Sequence, residues 1–438
     1  MTKEETMHIA LICTGDELLK GATVNTNLAF LGGKLLEIGI IPEVSLEIPD
    51  SREAIREALD YAFSKADTVL LSGGLGPTDD DRTKSAVAEW FGVPLLRRPE
   101  AEQAVRDYWK NRHSGIAPIH WIRQAEIPEG AQVLPNGFGS APGIHLNRNG
   151  KTVFLLPGPP SELQPMFERS VLPLLAEREE KEERRVHTAL FRIVGIGESE
   201  IEDRLEVQLD PEVSAAYCAS PGMVKVFLTS GSREKLEKMK GIVRDLFQKE
   251  CLPDGILSLP QEVLRLLGER KILLATAESC TGGLIAEQLT EIPGSSEHFL
   301  GGVVSYANDL KMHFLGVSRE TLEQVGAVSR ECAEQMVNGI AERTGADAAI
   351  SVTGIAGPGG GSPEKPVGLV YIGVRLHAKV LVLECHFPGS RSQIRARTAA
   401  KALHTLRTLL LESAEWRPGC SRRRSRRIRK DVSATRPT

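Results

Sequence analysis

Short apolar runs recur along the first part of the chain, and each of them ends in a loop of polar or glycine residues. The runs at 9–13, 68–71 and 153–156 have few polar positions, which is typical of strands that are buried on both faces. Between the first two runs, residues 27–38 repeat apolar side chains at helical spacing. Buried strands that alternate with helices predict a largely parallel sheet covered on both faces. We therefore expect a three-layer α/β/α domain over residues 1–175.

The loops after these strands carry residue types that suit phosphate or metal binding. Ligands of parallel α/β sheets bind at the carboxyl ends of the strands, which is where these loops lie. Glycine-rich turns can present N–H groups to a diphosphate. Asp16, Asp80 and Asp81, with Glu17 as a further candidate, could hold one or two divalent ions and orient a water molecule. The alternative is ordinary turn and cap chemistry.

Residues 186–253 are expected to form a small α+β subdomain. A run of charges without an apolar face at 178–185 precedes it and predicts a linker. The elements we expect are strands at 187–194 and 223–230 and helices at 198–209 and 233–248. The order resembles a KH-type subdomain, but the GxxG loop with which KH modules bind nucleic acid is missing. A structural or dimer-forming role is therefore the expectation.

Residues 256–413 predict a further α/β domain, in which Ser279 follows a strand and precedes a glycine-flanked helix. This position suits a nucleophile, because helix N–H groups can stabilise negative charge on a substrate oxygen. It equally suits a helix N-cap, which typically contributes about 1 kcal/mol. The strands expected here lie at 272–275, 301–306, 347–352, 368–375 and 379–386, and the helices at 308–315, 329–343 and 391–411.

A serine hydroxyl needs an activating base before it can attack an amide. No GxSxG elbow surrounds Ser279, and the histidines of this domain show no triad-like arrangement. Lys311 is a candidate if desolvation lowers its pKa, although a lysine chosen by spacing alone is usually a solvated surface residue. Cys280 is a competing nucleophile, because a thiol is intrinsically more nucleophilic than a hydroxyl.

Cysteine spacing and charge exclude several classes of protein. The seven cysteines are scattered and form no CxxC pair, which argues against a disulfide framework and a zinc site. The net charge is −4, yet residues 414–438 hold nine Lys and Arg against two acidic residues, so the rest of the chain is acidic. An acidic body argues against nucleic-acid binding, except through this basic tail, which we expect to be disordered. No long apolar run or signal-peptide layout occurs, so a cytoplasmic protein without a membrane partner is expected.

Four segments of the last domain, in this order, resemble the amidase domain of the CinA (competence/damage-inducible) family. They are TAESCTGGLIAEQLTEIPGSSEHFLGGVVSYANDLKMHFLGV, GAVSRECAEQM, SVTGIAGPGGGSPEKPVGLVYIGV and FPGSR. The resemblance implies hydrolysis of nicotinamide mononucleotide to nicotinate mononucleotide and ammonia, without a cofactor. It places the nucleophile on Ser279 and the other catalytic positions on Tyr306, Lys311 and Thr353.

The same resemblance assigns roles to the residues around the nucleophile. Lys311, directly or through Tyr306, takes the proton of Ser279, and Arg391 suits the substrate phosphate. The oxyanion is held by N–H groups of Cys280 or of the glycines after it. The substrate-binding positions are Cys280, Gly282, Gly283, Gly354, Gly357 and Arg391.

The first domain resembles the molybdopterin-binding-like domain that precedes the amidase in full-length members of this family. The matching segments are GDELLKGATVNTNLAFLGGKLLEIGI, SGGLGPTDDDRT, GSAPGI and LPGPPSE. The resemblance implies an ADP-ribose pyrophosphatase activity that depends on a divalent metal such as Mg, Mn or Co. The implied substrate-binding residues are Asn25, Asn27, Gly73, Gly74 and Gly76, and the implied metal ligands are Asp16, Asp80 and Asp81.

The sequence leaves the metal ligands and the choice between enzyme and binding protein open. Asp79 extends the acidic pair of the family by one, so the sequence does not decide which two carboxylates coordinate the metal. A regulatory, nucleotide-binding or pterin-binding protein with one or both sites inactive is the alternative to an enzyme. The family further suggests a homodimer.

Overall fold

The computed structural model describes residues 7–113, 115–181 and 186–413, so the prediction for the basic tail lies outside the described residues. The chain divides into two compact units. The first comprises Met1–Ala189, Asp210–Ala215 and Phe227–Gly241, and the second comprises Leu190–Leu209, Ala216–Val226 and Ile242–Thr438. No helix among the described residues is long and apolar enough to cross a bilayer.

The first unit is built on a six-stranded sheet with the order β2-β1-β3-β8-β7-β6. Its strands are β1 (Ile9–Thr14), β2 (Val44–Ile48), β3 (Thr68–Ser72), β6 (Gln132–Leu134), β7 (Gly143–Arg148) and β8 (Lys151–Leu156), and β4 (Leu95–Arg97) pairs with β5 (Glu126–Pro128) apart from it. Strands β2, β1, β3 and β8 are parallel, as predicted, whereas β7 and β6 extend the sheet antiparallel.

Helices cover both faces of this sheet. The α-helices of this unit are α1 (Asp16–Leu19), α2 (Thr26–Glu37), α3 (Arg52–Lys65), α4 (Thr83–Trp90), α5 (Pro99–Arg112), α6 (Ile119–Ile122), α7 (Pro160–Met166) and α8 (Leu172–Lys181). Every residue of β1 is buried, and alternate side chains belong to different cores: Ala10 and Ile12 to one, Ile9 and Leu11 to the other. The three-layer α/β/α prediction is thereby confirmed. The Ser51 hydroxyl accepts the Ala54 N–H and caps the start of α3.

The predicted linker at 178–185 is wrong for its first residues. Helix α8 continues to Lys181, and the guanidinium of Arg178 lies 3.2 Å from the Asp67 carboxylate. Leu175, one turn before Arg178, is buried in the core and holds the helix against the sheet. The helix can therefore continue into the charged run although that run has no apolar face. Residues 182–185 lie outside the described part of the chain.

A small α+β segment follows, in the predicted order with one additional strand. It consists of β9 (His187–Val194), α9 (Glu198–Glu206), β10 (Val213–Ser220), β11 (Met223–Ser230) and α10 (Arg233–Leu246). The sheet order is β10-β11-β9. Strand β10 was not predicted, because its sequence VSAAYCAS is dominated by small residues with weak strand preference.

The second unit contains a five-stranded sheet with the order β13-β12-β14-β15-β16. Its strands are β12 (Leu274–Glu278), β13 (Phe299–Val304), β14 (Ala348–Gly354), β15 (Leu369–Leu376) and β16 (Lys379–His386), and its helices are α11 (Leu259–Arg270), α12 (Leu284–Thr290), α13 (Asn308–Leu315), α14 (Arg319–Gln324), α15 (Arg330–Thr344) and α16 (Arg391–Glu412). The first three strands of the sheet order are parallel and the last two antiparallel, which confirms an α/β fold. Ile350 and Ala349 belong to cores on opposite faces of the sheet.

Candidate active site

Strands β12 and β13 of the second unit end at the same level, and the parallel strand β14 continues two residues further. Glu278, the last residue of β12, is in register with Val304 of β13 and with Val352 of β14. The residues that follow each strand therefore meet at one edge of the sheet, which is where ligands of α/β sheets bind. Ser279 and Thr353 lie directly at this edge.

Lys311 approaches Ser279 from helix α13. Its Nζ lies 3.1 Å from the Ser279 Oγ and donates to the carbonyl oxygens of Ser305 at 2.7 Å and Tyr306 at 3.2 Å. Lys311 is 1% exposed, and its three acceptors are uncharged. Burial lowers the pKa of this lysine below its ordinary value, since desolvation disfavours the ammonium form. A neutral amine at this position can accept the serine proton.

Ser279 is not the cap of the following helix. Helix α12 begins at Leu284, and its N-cap is Gly283, whose φ of 95° suits glycine. The Ser279 N–H donates to the Val352 carbonyl across the strand end, which orients the residue independently of the helix. The hydroxyl is therefore left to interact with Lys311, and the N-cap alternative is excluded.

Residues 279–283, which we call the nucleophile turn, offer fewer free N–H groups than the sequence suggested. The Gly282 N–H donates to the Ser279 carbonyl, and the Gly283 N–H donates to the Glu278 carboxylate. Neither N–H is available to a substrate in this conformation, which corrects that part of the expected oxyanion site. Among the described residues no backbone carbonyl accepts from the N–H groups of Cys280 or Thr281.

The Cys280 thiol is buried beneath the turn. Desolvation raises its pKa to about 12, so the thiol stays protonated at neutral pH. A protonated thiol is a poor nucleophile. The competing role of Cys280 as nucleophile therefore loses its chemical basis.

Arg391 connects Tyr306 with the glycine-rich loop after β14. One guanidinium nitrogen donates to the Tyr306 hydroxyl at 3.0 Å and another to the Gly357 carbonyl at 2.8 Å. Tyr306 is 60% exposed, and only its backbone carbonyl contacts Lys311. The contact between Lys311 and Ser279 is thus direct and does not pass through the phenol.

Thr353 and Gly354 lie at the end of β14, where the structure leaves little free space. The Thr353 hydroxyl, which is buried, donates to the Ala327 carbonyl at 2.6 Å. A Cβ at Gly354 would lie 2.7 Å from the Val370 side chain, so glycine is required by packing. In this conformation, Thr353 orders the loop at Ala327 beside the site.

Sequence reasoning missed three residues at this site: Glu278, Ser305 and Arg395. Glu278 is 1% exposed, and its carboxylate accepts N–H groups at the start of α12. An acidic residue that closes an apolar strand was the only available signal for it. The Ser305 carbonyl accepts from Lys311, 6 positions along the chain, and the Arg395 guanidinium donates to Thr281, 114 positions away. No local sequence pattern reveals either contact.

In the first unit, Asn27 joins two of the predicted loops. Its amide nitrogen donates to the Gly158 carbonyl at 2.6 Å and to the Ser72 hydroxyl at 3.2 Å. Asn25 instead caps helix α2 by accepting the Leu28 N–H at 2.9 Å. The loops at the carboxyl ends of β3 and β8 are thus adjacent, as the parallel sheet requires.

The glycines of the loop after β3 are explained by close packing. Gly73 has a φ of 106°, and a Cβ there would lie 2.4 Å from the Thr14 carbonyl oxygen. A Cβ at Gly74 would meet the Thr83 hydroxyl at 2.3 Å, and one at Gly76 would meet the Asp81 carboxylate at 2.5 Å. These glycines allow the loop to fold tightly against its neighbours.

The acidic residues predicted as metal ligands have other partners. Asp16 forms an ion pair with Lys20 at 2.8 Å, and its N–H donates to Asp50. The Lys20 hydrogen bond lowers the pKa of Asp16, and hydrogen bonding also lowers the pKa of the exposed Asp80. Asp81 accepts the Thr78 N–H and hydroxyl. Among the described residues no three His, Cys, Asp or Glu side chains are grouped as metal ligands, so the side chains as placed do not fit a metal site.

A cavity of about 430 Å³ lies beside this loop. Four cationic and three acidic side chains line it: Arg52, Arg82, Lys84 and Arg123 with Asp79, Asp81 and Glu126. Lys84 is 6% exposed and donates to the Arg123 carbonyl at 2.8 Å. Burial lowers the pKa of Lys84 to about 8, so this lysine titrates near neutral pH.

Two family models match separate parts of the chain. Residues 256–410 match the family model described as CinA C-terminal domain, and residues 10–177 match the one described as Probable molybdopterin binding domain. A CinA-like protein of Dictyoglomus thermophilum is 38% identical over 413 residues, which cover 92% of this chain and 100% of that protein. The chain belongs to the CinA family. A CinA-like protein of Kosmotoga olearia is likewise 38% identical over 413 residues, which cover 92% of this chain and 99% of that protein.

Solved structures of CinA proteins resemble part of the chain. The competence/damage inducible protein CihA of Agrobacterium tumefaciens is 46% identical, with a TM-score of 0.34, and covers 35% of this chain and 93% of that one. A CinA superfamily protein of Klebsiella pneumoniae is 34% identical, with a TM-score of 0.35, and the match covers 36% of this chain and 97% of that one.

Proposed function

We propose that this CinA-family chain hydrolyses the carboxamide of nicotinamide mononucleotide, giving nicotinate mononucleotide and ammonia. The observation that carries the proposal is the contact of 3.1 Å between the buried Lys311 Nζ and the Ser279 Oγ. A lysine whose pKa is lowered by burial, beside a serine that caps no helix, is the arrangement of a nucleophile with its base.

The first half of the reaction forms an acyl-enzyme. The Ser279 Oγ attacks the carboxamide carbon while the Lys311 Nζ accepts the hydroxyl proton. The N–H group of Cys280 is the donor for the resulting oxyanion, since those of the following glycines are already bonded. Lys311 then returns its proton to the amide nitrogen, the C–N bond breaks, and ammonia leaves.

The second half regenerates the serine. Lys311, neutral again, accepts a proton from water as the water oxygen attacks the acyl carbon. The C–O bond to Ser279 breaks, Lys311 returns the proton to the Ser279 oxygen, and nicotinate mononucleotide leaves. The two backbone carbonyls that accept from the Lys311 Nζ, those of Ser305 and Tyr306, keep it aimed at the serine through both halves.

Arg391 is the proposed phosphate contact. Its guanidinium lies at the exposed side of the site, where Tyr306 and the Gly357 carbonyl hold it in place. A guanidinium has five N–H donors, so donors remain for a phosphate after these two contacts. Fixing the phosphate and the carboxamide at two points orients the reacting carbon.

The cavity of the first unit supports a second candidate function, the binding of ADP-ribose through its diphosphate. Four cationic side chains line that cavity beside a glycine-rich loop. Hydrolysis by way of a divalent metal such as Mg, Mn or Co remains a prediction from the family, because the described acidic residues form no ligand group. The cavity supports the binding of a nucleotide or pterin, without hydrolysis.

Trapping the acyl-enzyme tests the amidase proposal. The intact protein is mixed with nicotinamide mononucleotide, quenched in acid and digested, and the peptide that contains Ser279 is weighed by mass spectrometry. We expect a mass increase equal to the nicotinate mononucleotide acyl group on Ser279. Turnover without any acyl adduct in the rapidly quenched samples, together with undiminished ammonia release by Ser279→Ala, would contradict the mechanism.

A further inference from the structure

Two charged side chains that the mechanism does not use hold the nucleophile turn from two sides. Glu278, at the end of β12, is 1% exposed. Its two carboxylate oxygens accept the N–H groups of Gly283 at 3.0 Å, Ile285 at 3.1 Å and Ala286 at 2.9 Å. The carboxylate replaces the missing side-chain cap of α12 and offsets the positive end of the helix dipole.

Arg395 holds the turn from helix α16. Its Nε and Nη2 both donate to the Thr281 carbonyl oxygen, at 3.1 and 2.6 Å. Thr281 itself is fully buried. A guanidinium that donates twice to one carbonyl fixes the plane of the peptide between Thr281 and Gly282.

Together the two contacts decide which N–H groups of the turn stay free. Glu278 occupies the helix N–H groups that would otherwise offer an anion a competing position. Arg395 fixes the 281–282 peptide, and the Gly282 N–H of that peptide donates to the Ser279 carbonyl. This second contact fixes the 279–280 peptide, so the Cys280 N–H keeps one direction. We propose that Glu278 and Arg395 are positioning residues that preform the oxyanion site of the amidase. This inference rests on the proposed function.

The test measures kcat for each active site, so that misfolded protein does not count. Active sites of the intact protein are titrated with a serine-reactive probe, and ammonia release from nicotinamide mononucleotide is then followed. In Glu278→Gln and Arg395→Met we expect kcat per site to fall about 100-fold, since oxyanion donors act mainly in the transition state. KM should stay within about threefold, and Arg395→Lys should recover part of kcat.

Two matched controls separate positioning from stability. Glu262 is also a glutamate with 1% exposure, but it pairs with Arg265, so Glu262→Gln should leave kcat per site unchanged. Arg397, two residues after Arg395 on the same helix, donates to the Pro388 carbonyl, so Arg397→Met should also leave it unchanged. A purely structural role of Glu278 or Arg395 would lower the number of titratable sites and leave kcat per site intact.

The outcomes distinguish this inference from the proposed function. Absence of ammonia with the wild-type protein, or full activity in Ser279→Ala, overturns the proposed function. A wild-type enzyme that depends on Ser279, with wild-type kcat per site in Arg395→Met, overturns the positioning role alone. Arg395 is partly exposed on α16, so this variant decides the question even if the buried Glu278→Gln protein fails to fold.

Discussion

The Nζ of Lys311 and the Oγ of Ser279 lie 3.1 Å apart, and the lysine makes its other two hydrogen bonds to backbone carbonyls. No carboxylate is among these partners, so the surroundings favour the neutral amine. This pair sets the chemistry we expect of the second unit.

Replacing the base should nearly abolish turnover. In Lys311→Met we expect kcat/KM to fall by about 10²–10⁴-fold, because no other side chain among the described residues is hydrogen-bonded to the Ser279 hydroxyl. Methionine fills much of the lysine volume without a charge, so the variant should fold and keep its far-UV circular dichroism spectrum. Lys401→Met, an exposed lysine on α16, is the control and should retain full activity. Activity of Lys311→Met near the wild-type level would rule out Lys311 as the base.

Activity should rise with pH. Burial lowers the pKa of Lys311, and the reaction needs the neutral amine, so kcat/KM should increase as the pH passes through that lowered pKa. The midpoint should lie below the ordinary lysine value of 10.5. Folding stability should increase in the same window, since the unfolded chain binds the proton more tightly than the folded one. The measurement is kcat/KM across neutral and alkaline pH, and a profile without this limb would contradict the assignment.

The Cys280 thiol should be unnecessary. Its pKa of about 12 leaves almost no thiolate at neutral pH, so Cys280→Ala should keep kcat within about fivefold. In the native protein, iodoacetamide should label the exposed Cys218 much faster than the buried Cys280. Loss of all activity in Cys280→Ala, with the fold intact, would make the cysteine the nucleophile.

Binding of ADP-ribose to the first unit should weaken as the pH rises through about 8, where Lys84 loses its charge. Calorimetric titration should show this dependence in the wild-type protein and lose it in Lys84→Met. Lys34→Met is the control, because Lys34 pairs with Glu37 and Glu168 and does not line the cavity. Affinity that is independent of both pH and Lys84 would exclude this cavity as the diphosphate site.

The sequence predicted the elements whose pattern is local. Buried runs such as β1 and β3 were recognisable as strands because they contain few polar positions. Strand β10 was missed because small residues carry little strand signal. The linker prediction failed because the core contact of Leu175 outweighs the charges that follow it.

The sequence named several residues of the candidate site, but it did not show their contacts and it missed Glu278, Ser305 and Arg395. Ser279, Lys311 and Arg391 followed from resemblance to a family, whereas spacing alone left Lys311 as an ordinary lysine. Only the fold shows that Glu278 takes the N–H of Gly283 and that Lys311 is desolvated. Such relationships depend on strand register and helix packing, which single-sequence periodicity does not encode.

The most direct test of the account is ammonia release from nicotinamide mononucleotide by the wild-type protein and by Ser279→Ala. The wild-type protein should release ammonia and nicotinate mononucleotide in equal amounts. Ser279→Ala should lose at least about 10³-fold in kcat while it keeps the same unfolding temperature, because only one oxygen atom is removed. No ammonia from the folded wild-type protein, or undiminished release by Ser279→Ala, would contradict the central claim.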